Sequence, residues 1–176
     1  KNKVNQINNK QAPIYEKNLE KLLKRNSLTA TTSYKKSIPT ADLIFICVGT
    51  PAQPDGSQDL SQIQTVCEQL AADLKKDQLV IIKSSVVPGT TEEIIIPWLE
   101  QYSNLKEGYD FHVVTNPEFL REGNAIHDFF HPDRIIIGTN HLYAKMMMET
   151  LYTEDYFSCP IMITDRSTAE MIKYAS

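Results

Sequence analysis

Several things are missing from the 176 residues, and each absence excludes a class of protein. No stretch approaches the roughly 18 consecutive apolar residues of a membrane-spanning helix. Basic residues are not in excess: 18 Lys and Arg stand against 22 Asp and Glu, a formal net charge of −4, so no partnership with nucleic acid or an anionic membrane is expected. The opening Lys1-Asn2-Lys3-Val4-Asn5-Gln6 has no apolar core or small-residue cleavage site, which reads as a cytoplasmic protein without a signal peptide. Cysteine is scarce and odd in number: Cys47, Cys67 and Cys159 form no C-x-x-C pair and no disulfide framework. Cys47 lies in an apolar run and Cys67 in a helical pattern, so both read as reduced, buried packing residues. Of the histidines, His127 and His131 are four apart, but Pro132 follows at once and no third ligand is evident; no metal is expected.

What is present is ordinary globular material, 41% hydrophobic and 23% charged, enough for one domain with a proper core. Residues 1–26 read as two short polar helices divided by Pro13, with Leu19, Leu22 and Leu23 as an apolar stripe. The continuous run from Asp42 to Val48 predicts a strand buried on both faces, as in a parallel sheet. A polar loop follows, and then a helix opened by Asp59 with Gln62 as its capping box; Leu60, Ile63, Cys67, Leu70 and Leu74 recur along it at helical spacing. Further strands are predicted at 79–82, 111–114, 135–138 and 161–163. Helices are predicted from a Thr90/Glu93 capping box through Leu99 with Pro97 inside, over 141–152, and from a Ser167/Glu170 capping box to the last residue. Alternating strand and helix means an α/β fold with a parallel sheet. Such sheets bind ligands beyond the carboxyl ends of their strands. Three predicted strand ends, Gly49-Thr50-Pro51, Ser84-Ser85 and Asn116-Pro117-Glu118, carry polar turn-forming sequence and belong on one edge. The chain starts within a helical segment and stops shortly into another, which reads as an excerpt of a longer polypeptide.

In chain order the notable stretches are V-G-T-P (48–51), D-G-S-x-D-L-S (55–61), K-S-S-V-V-P-G-T (83–90), N-P-E-F-L-R-E-G-x-A-x-x-D-F (116–129), P-D-R-I-I-I-G (132–138) and A-E-M-I-K-Y-A-S (169–176). Together they resemble the UDP-glucose/GDP-mannose dehydrogenase family, the nucleotide-sugar 6-dehydrogenases. The resemblance implies a Rossmann-like, mostly parallel sheet flanked by helices, lacking its first βαβ unit. It places an NAD-binding domain over residues 1–164 and the start of a central dimerisation helix over 165–176. The glycine-rich turn is expected before Lys1, and the catalytic cysteine and the UDP-sugar domain after Ser176. The implied reaction is oxidation of a sugar's primary alcohol to a carboxylate with NAD, through a cysteine thioester. UDP-glucose is the expected substrate and a homodimer the expected assembly of the parent, polysaccharide precursors being the expected destination. GDP-mannose is the alternative substrate, because 84–91 and 96–100 also match that branch; Gly123 and 132–134 follow the UDP-glucose pattern better. A non-catalytic nucleotide-binding fragment is the competing reading, and the 176 residues alone are expected to be inactive.

The resemblance also assigns roles. Glu118 matches the glutamate that activates the hydrolytic water; read without the motif, it is an acid at a helix start. Ser85, where the family usually has threonine, supplies a hydroxyl for that water, although Ser-Ser after a strand is also a common turn signal. Lys173 matches the lysine whose ammonium stabilises developing oxyanions. Val48, Gly49, Thr50 and Pro51 line the cofactor, with Ser84 and Glu122 near its nicotinamide end. Phe119, Leu120, Arg121 and Glu122 offer main-chain groups to sugar and diphosphate, beside Glu118 and Lys173. Arg134 reads equally as a phosphate ligand or as the partner of Asp133.

Overall fold

The computed structural model describes residues 2–153 and 156–176. Two short helices, α1 (Asn2–Asn8) and α2 (Leu19–Arg25), precede a small α3 (Tyr34–Ser37) and a 3-10 turn over Ile38–Thr40. There follow β1 (Leu43–Ile46), α4 (Ser61–Ala71), β2 (Leu79–Ile82), a single π turn (Thr91–Ile95), α5 (Ile96–Ser103) and β3 (His112–Thr115). The second half holds α6 (Ala125–Phe130), β4 (Ile135–Gly138), α7 (Leu142–Leu151), β5 (Ile161–Thr164) and α8 (Arg166–Tyr174).

One five-stranded sheet runs β1-β2-β3-β4-β5. β1, β2 and β3 are parallel, with Leu43 opposite Leu79 and Leu79 opposite His112. Between β3 and β4 the direction reverses, through the single pair Thr115 and Gly138, and β5 is parallel to β4. The sheet is therefore mostly parallel, as expected. Residues 116–134 join β3 to β4 and hold the six-residue α6.

Alternation along β2 divides the core. Val80 and Ile82 join Ile44, Ile63, Leu70, Ile95 and Leu99 under α4 and α5. Leu79 and Ile81 join Val114, Ile137, Ala144 and Met148 under α7. β1 departs from the expected burial on both faces: Phe45 is 42% exposed. It is the outermost strand of the sheet among the described residues. Cys47 beyond it is exposed, which corrects its assignment to the core, whereas Cys67 is fully buried and its thiol is pushed up to about 12.

None of the three expected capping boxes forms. Asp59 instead accepts from the Ser61 N–H at 2.9 Å, one turn position earlier. The π turn leads into α5 with Pro97 in its first turn, where a missing N–H does no harm. The donors there are taken by a distant side chain: the buried Glu170 carboxylate accepts from Gly89 N–H at 2.6 Å and Thr91 N–H at 2.9 Å. Helix α8 is capped by Asp165, whose Oδ1 accepts from Thr168 N–H at 2.8 Å, leaving Glu170 for that cross-link. Gly138 lets α8 lie directly on β4, since a Cβ there would sit 2.6 Å from the Ala169 Cβ and 2.9 Å from the Arg166 Cα.

Candidate functional site

Because β1, β2 and β3 are parallel, their carboxyl ends open on one edge of the sheet, as expected. Two hydroxyls pin the loops there. Thr50 Oγ1 donates to the Ser85 carbonyl at 2.6 Å, and Ser84 Oγ donates to the Val48 carbonyl at 2.7 Å. Gln58 completes the clasp, its Nε2 donating to the same Ser85 carbonyl at 2.8 Å while Oε1 accepts from Val87 N–H at 3.0 Å. The Val48–Pro51 backbone is thereby fixed. A Cβ on Gly49 would meet only the Gln62 Nε2, at 3.7 Å, so a flat ligand can lie against this main chain.

The β3 end is held from below. Asn116 is buried; its Nδ2 donates to the Ile136 carbonyl at 2.7 Å, and its Oδ1 accepts from the Tyr152 hydroxyl at 2.6 Å and from Lys83 Nζ at 3.2 Å. Burial pushes the Tyr152 phenol up to about 12 and the Lys83 ammonium below its usual range. Glu118 then projects from a rigid support, with Oε2 accepting from the Leu120 N–H at 2.6 Å.

Lys173 arrives from the other end of the chain. Because β5 runs against β3, α8 starts near the amino end of β3 and travels back toward its carboxyl end. Its last turn brings Lys173 Nζ onto the Glu118 carbonyl and to 3.7 Å from Glu118 Oε1. The Phe119 ring lies 5.0 Å from Lys173 Nζ and 5.0 Å from the Arg134 guanidinium. A cleft of about 520 Å³ opens beside them, lined among others by Lys83, Glu118, Phe119, Arg121 and Arg134.

Thus Glu118, Lys173 and Phe119 meet, and Thr50, Ser84 and Ser85 form one clasp. Ser85 makes no direct side-chain hydrogen bond to Glu118 among the described residues, and the exposed Glu122 pairs with neither Glu118 nor Lys173. Two of the expected main-chain donors are engaged within the protein, Leu120 N–H by Glu118 and Arg121 N–H by Asp128 Oδ2 at 2.9 Å. The Arg121 guanidinium also binds Asp128, at 2.7 and 3.0 Å, and holds that carboxyl well below its usual range. Arg134 does not pair with Asp133; its Nη2 donates to Ser176 Oγ at 2.7 Å.

A profile of the UDP-glucose/GDP-mannose dehydrogenase NAD-binding domain matches residues 1–155. The chain belongs to this family. NAD is accordingly its cofactor, and the open, glycine-containing Val48–Pro51 backbone fits one. Among family members, a UDP-glucose 6-dehydrogenase of Bacillus subtilis is 42% identical over 99% of this chain and 39% of its own length. A GDP-mannose 6-dehydrogenase of Pseudomonas aeruginosa is 39% identical over 98% of this chain and 41% of its own. A ternary complex of GDP-mannose dehydrogenase from Pseudomonas aeruginosa superposes with a TM-score of 0.93 at 38% identity, covering 99% of this chain and 41% of that one. A UDP-glucose dehydrogenase from Pyrobaculum islandicum gives 0.87 at 34% identity, over 99% of this chain and 41% of that one. The chain spans about two fifths of the length of the curated relatives it matches.

Sequence reasoning missed Lys83, Asn116, Tyr152 and Gln58. Asn116 and Lys83 lie within the quoted motifs, yet only the fold shows that both converge on one amide. Tyr152, 36 residues from Asn116, carries no local signal at all.

Proposed function

We propose that this chain is the NAD-binding and water-activating part of a nucleotide-sugar 6-dehydrogenase that oxidises UDP-glucose to UDP-glucuronate. The observation that carries this reading is the meeting of Lys173 with Glu118, 55 residues apart, where Glu118 lines a cleft on the carboxyl edge of the sheet.

Bound NAD⁺ supplies the hydride acceptor for each of the two oxidations. The Val48–Pro51 backbone, Ser84 and Glu122 would hold the cofactor. The Lys173 ammonium faces the substrate's reacting oxygen and stabilises the alkoxide, and later the tetrahedral oxyanion. In the second half, the Glu118 carboxylate takes a proton from a water steadied by the Ser85 hydroxyl; the resulting hydroxide adds to a thioester carbonyl, and collapse expels a thiolate. Glu118 must first release Leu120 N–H, which frees a main-chain donor for the sugar nucleotide just as the base becomes available. Phe119, Leu120, Arg121 and Glu122 form that wall of the substrate site. The thiol belongs to a cysteine outside these residues. Residues 1–164 are the cofactor domain and 165–176 begin the helix through which a cytoplasmic parent enzyme dimerises.

GDP-mannose is the second reading, favoured by the relative of 39% identity and the structure of TM-score 0.93. The gene product carrying this sequence, assayed at 340 nm with NAD⁺ and each sugar nucleotide, decides between them. Two NADH per UDP-glucose is the expected result, with none from the 176 residues alone. Turnover of GDP-mannose only would replace the substrate, and silence with both would remove the enzyme reading.

A further inference from the structure

At the amino end of β3, away from the cleft, three metal-ligating side chains converge from separate segments. Glu107 lies in the turn before β3, His112 is the first residue of β3, and His141 immediately precedes α7. One donor atom from each falls within 4.8 Å of the others. We propose that Glu107, His112 and His141 form a zinc-class divalent-metal site with an open fourth position.

The donor chemistry suits such an ion: two imidazole nitrogens and one carboxylate oxygen match zinc sites with three protein ligands and a water. Tetrahedral zinc places neighbouring ligand atoms ~3.3 Å apart, given bonds of about 2.0–2.1 Å. His141 Nε2 and Glu107 Oε1 already stand 3.4 Å apart, so His112 has the largest adjustment to make. Its Nδ1 is buried without a hydrogen-bond partner among the described residues. A buried ring nitrogen left in that state is destabilising, and a metal ion is a natural taker of its lone pair.

Room for the cluster is built into the backbone. Gly108 has φ +85°, and a Cβ there would strike the His141 ring at 2.8 Å. The carboxylate is held in place by its own partners: Glu107 Oε1 accepts from Arg166 Nη2 at 2.5 Å and from Val113 N–H at 3.3 Å, so a bound ion takes the other oxygen or displaces the longer of these two bonds. Arg166 does not make the place repulsive to a cation, since Glu92 and Asp77 join Glu107 near it, three carboxylates against one guanidinium. His127 and His131, whose rings stack at 4.6 Å, lie in and just after α6 and form no part of this cluster. A bound ion would tie the turn before β3 to the start of α7 and, through Arg166, to the start of α8.

The test is titration of the metal-free gene product carrying this sequence with Zn²⁺ against a chromophoric chelator, with Co²⁺ absorption reporting geometry. One ion per chain is expected, with a tetrahedral Co²⁺ spectrum. His112→Ala and His141→Ala should each weaken binding by about 10-fold or more, and His127→Ala should not. Thermal unfolding guards against misfolded variants: Zn²⁺ should raise the Tm of the wild type and of His127→Ala, and not that of His141→Gln. Absence of saturable binding near equimolar Zn²⁺ would overturn the proposal. So would binding that survives in the His112→Ala/His141→Ala double variant.

Discussion

Helix α8 touches both ends of β3, and it does so by opposite means. At the amino end, Arg166 is sunk to 4% exposure and its guanidinium reaches the Val113 carbonyl, Glu107 and Glu92. At the carboxyl end, the Lys173 and Glu118 side chains keep 23% and 33% of their exposure and stand 3.7 Å apart at the cleft. The buried contact fixes geometry because breaking it strands a charge. The part-exposed one contributes little to stability. One nine-residue helix is thereby anchored by a buried guanidinium at its start and presents a part-exposed lysine near its end.

The contrast can be broken from either side. In the parent enzyme, Glu118→Gln should lower kcat by ~10²–10⁴-fold by removing the base, and leave unfolding free energy within about 0.5 kcal/mol. Parallel steady-state kinetics and urea melts read both; a large loss of stability would move Glu118 into the anchoring class. Arg166→Met should do the converse, costing about 3–5 kcal/mol in urea unfolding by stranding Glu107. Gly138→Ala tests the close approach of α8 to β4 and should cost about 1–3 kcal/mol, because the added methyl meets backbone as well as a side chain. Tyr152→Phe removes one hydrogen bond to Asn116 and should cost about 1 kcal/mol.

The smallest effect is a pH dependence. Burial raises the Glu170 carboxyl above its ordinary 4.5, outweighing the hydrogen bonds from Thr91 and Gly89. A carboxyl with a raised folded-state pKa favours the fold fully below its unfolded value, and that contribution is lost as pH rises through the folded one. The stability advantage of wild type over Glu170→Gln should therefore shrink between pH 4 and pH 7. An advantage that grows over that range would show that the two N–H donors dominate instead.

Much of this was legible along the chain. Apolar runs marked β1 to β5, because a strand buried in a sheet leaves a continuous hydrophobic signature. Strand-end motifs put Glu118, Thr50 and Ser84 on the right edge, and A-E-M-I-K marked Lys173. Local reasoning failed where a side chain had a better partner far away. Glu170 was assigned to the start of its own helix, yet it caps the turn at Gly89 and Thr91 some 80 residues earlier, where two N–H groups wait unpaired. The apolar run places Phe45 and Cys47 in a core, whereas both are exposed in this stretch, in which β1 is the outermost strand.

Where the elements lie, and which residue types stand at the strand ends, follows from local pattern, since propensity, periodicity and turn chemistry act over a few residues. Which distant groups meet follows only from the packed fold. The reversal between β3 and β4 sends α8 back along the sheet, and only that direction brings Lys173 to Glu118 and Arg166 to Glu107. Such pairings depend on how strands are ordered and oriented, a property of the whole packed chain that no local pattern encodes.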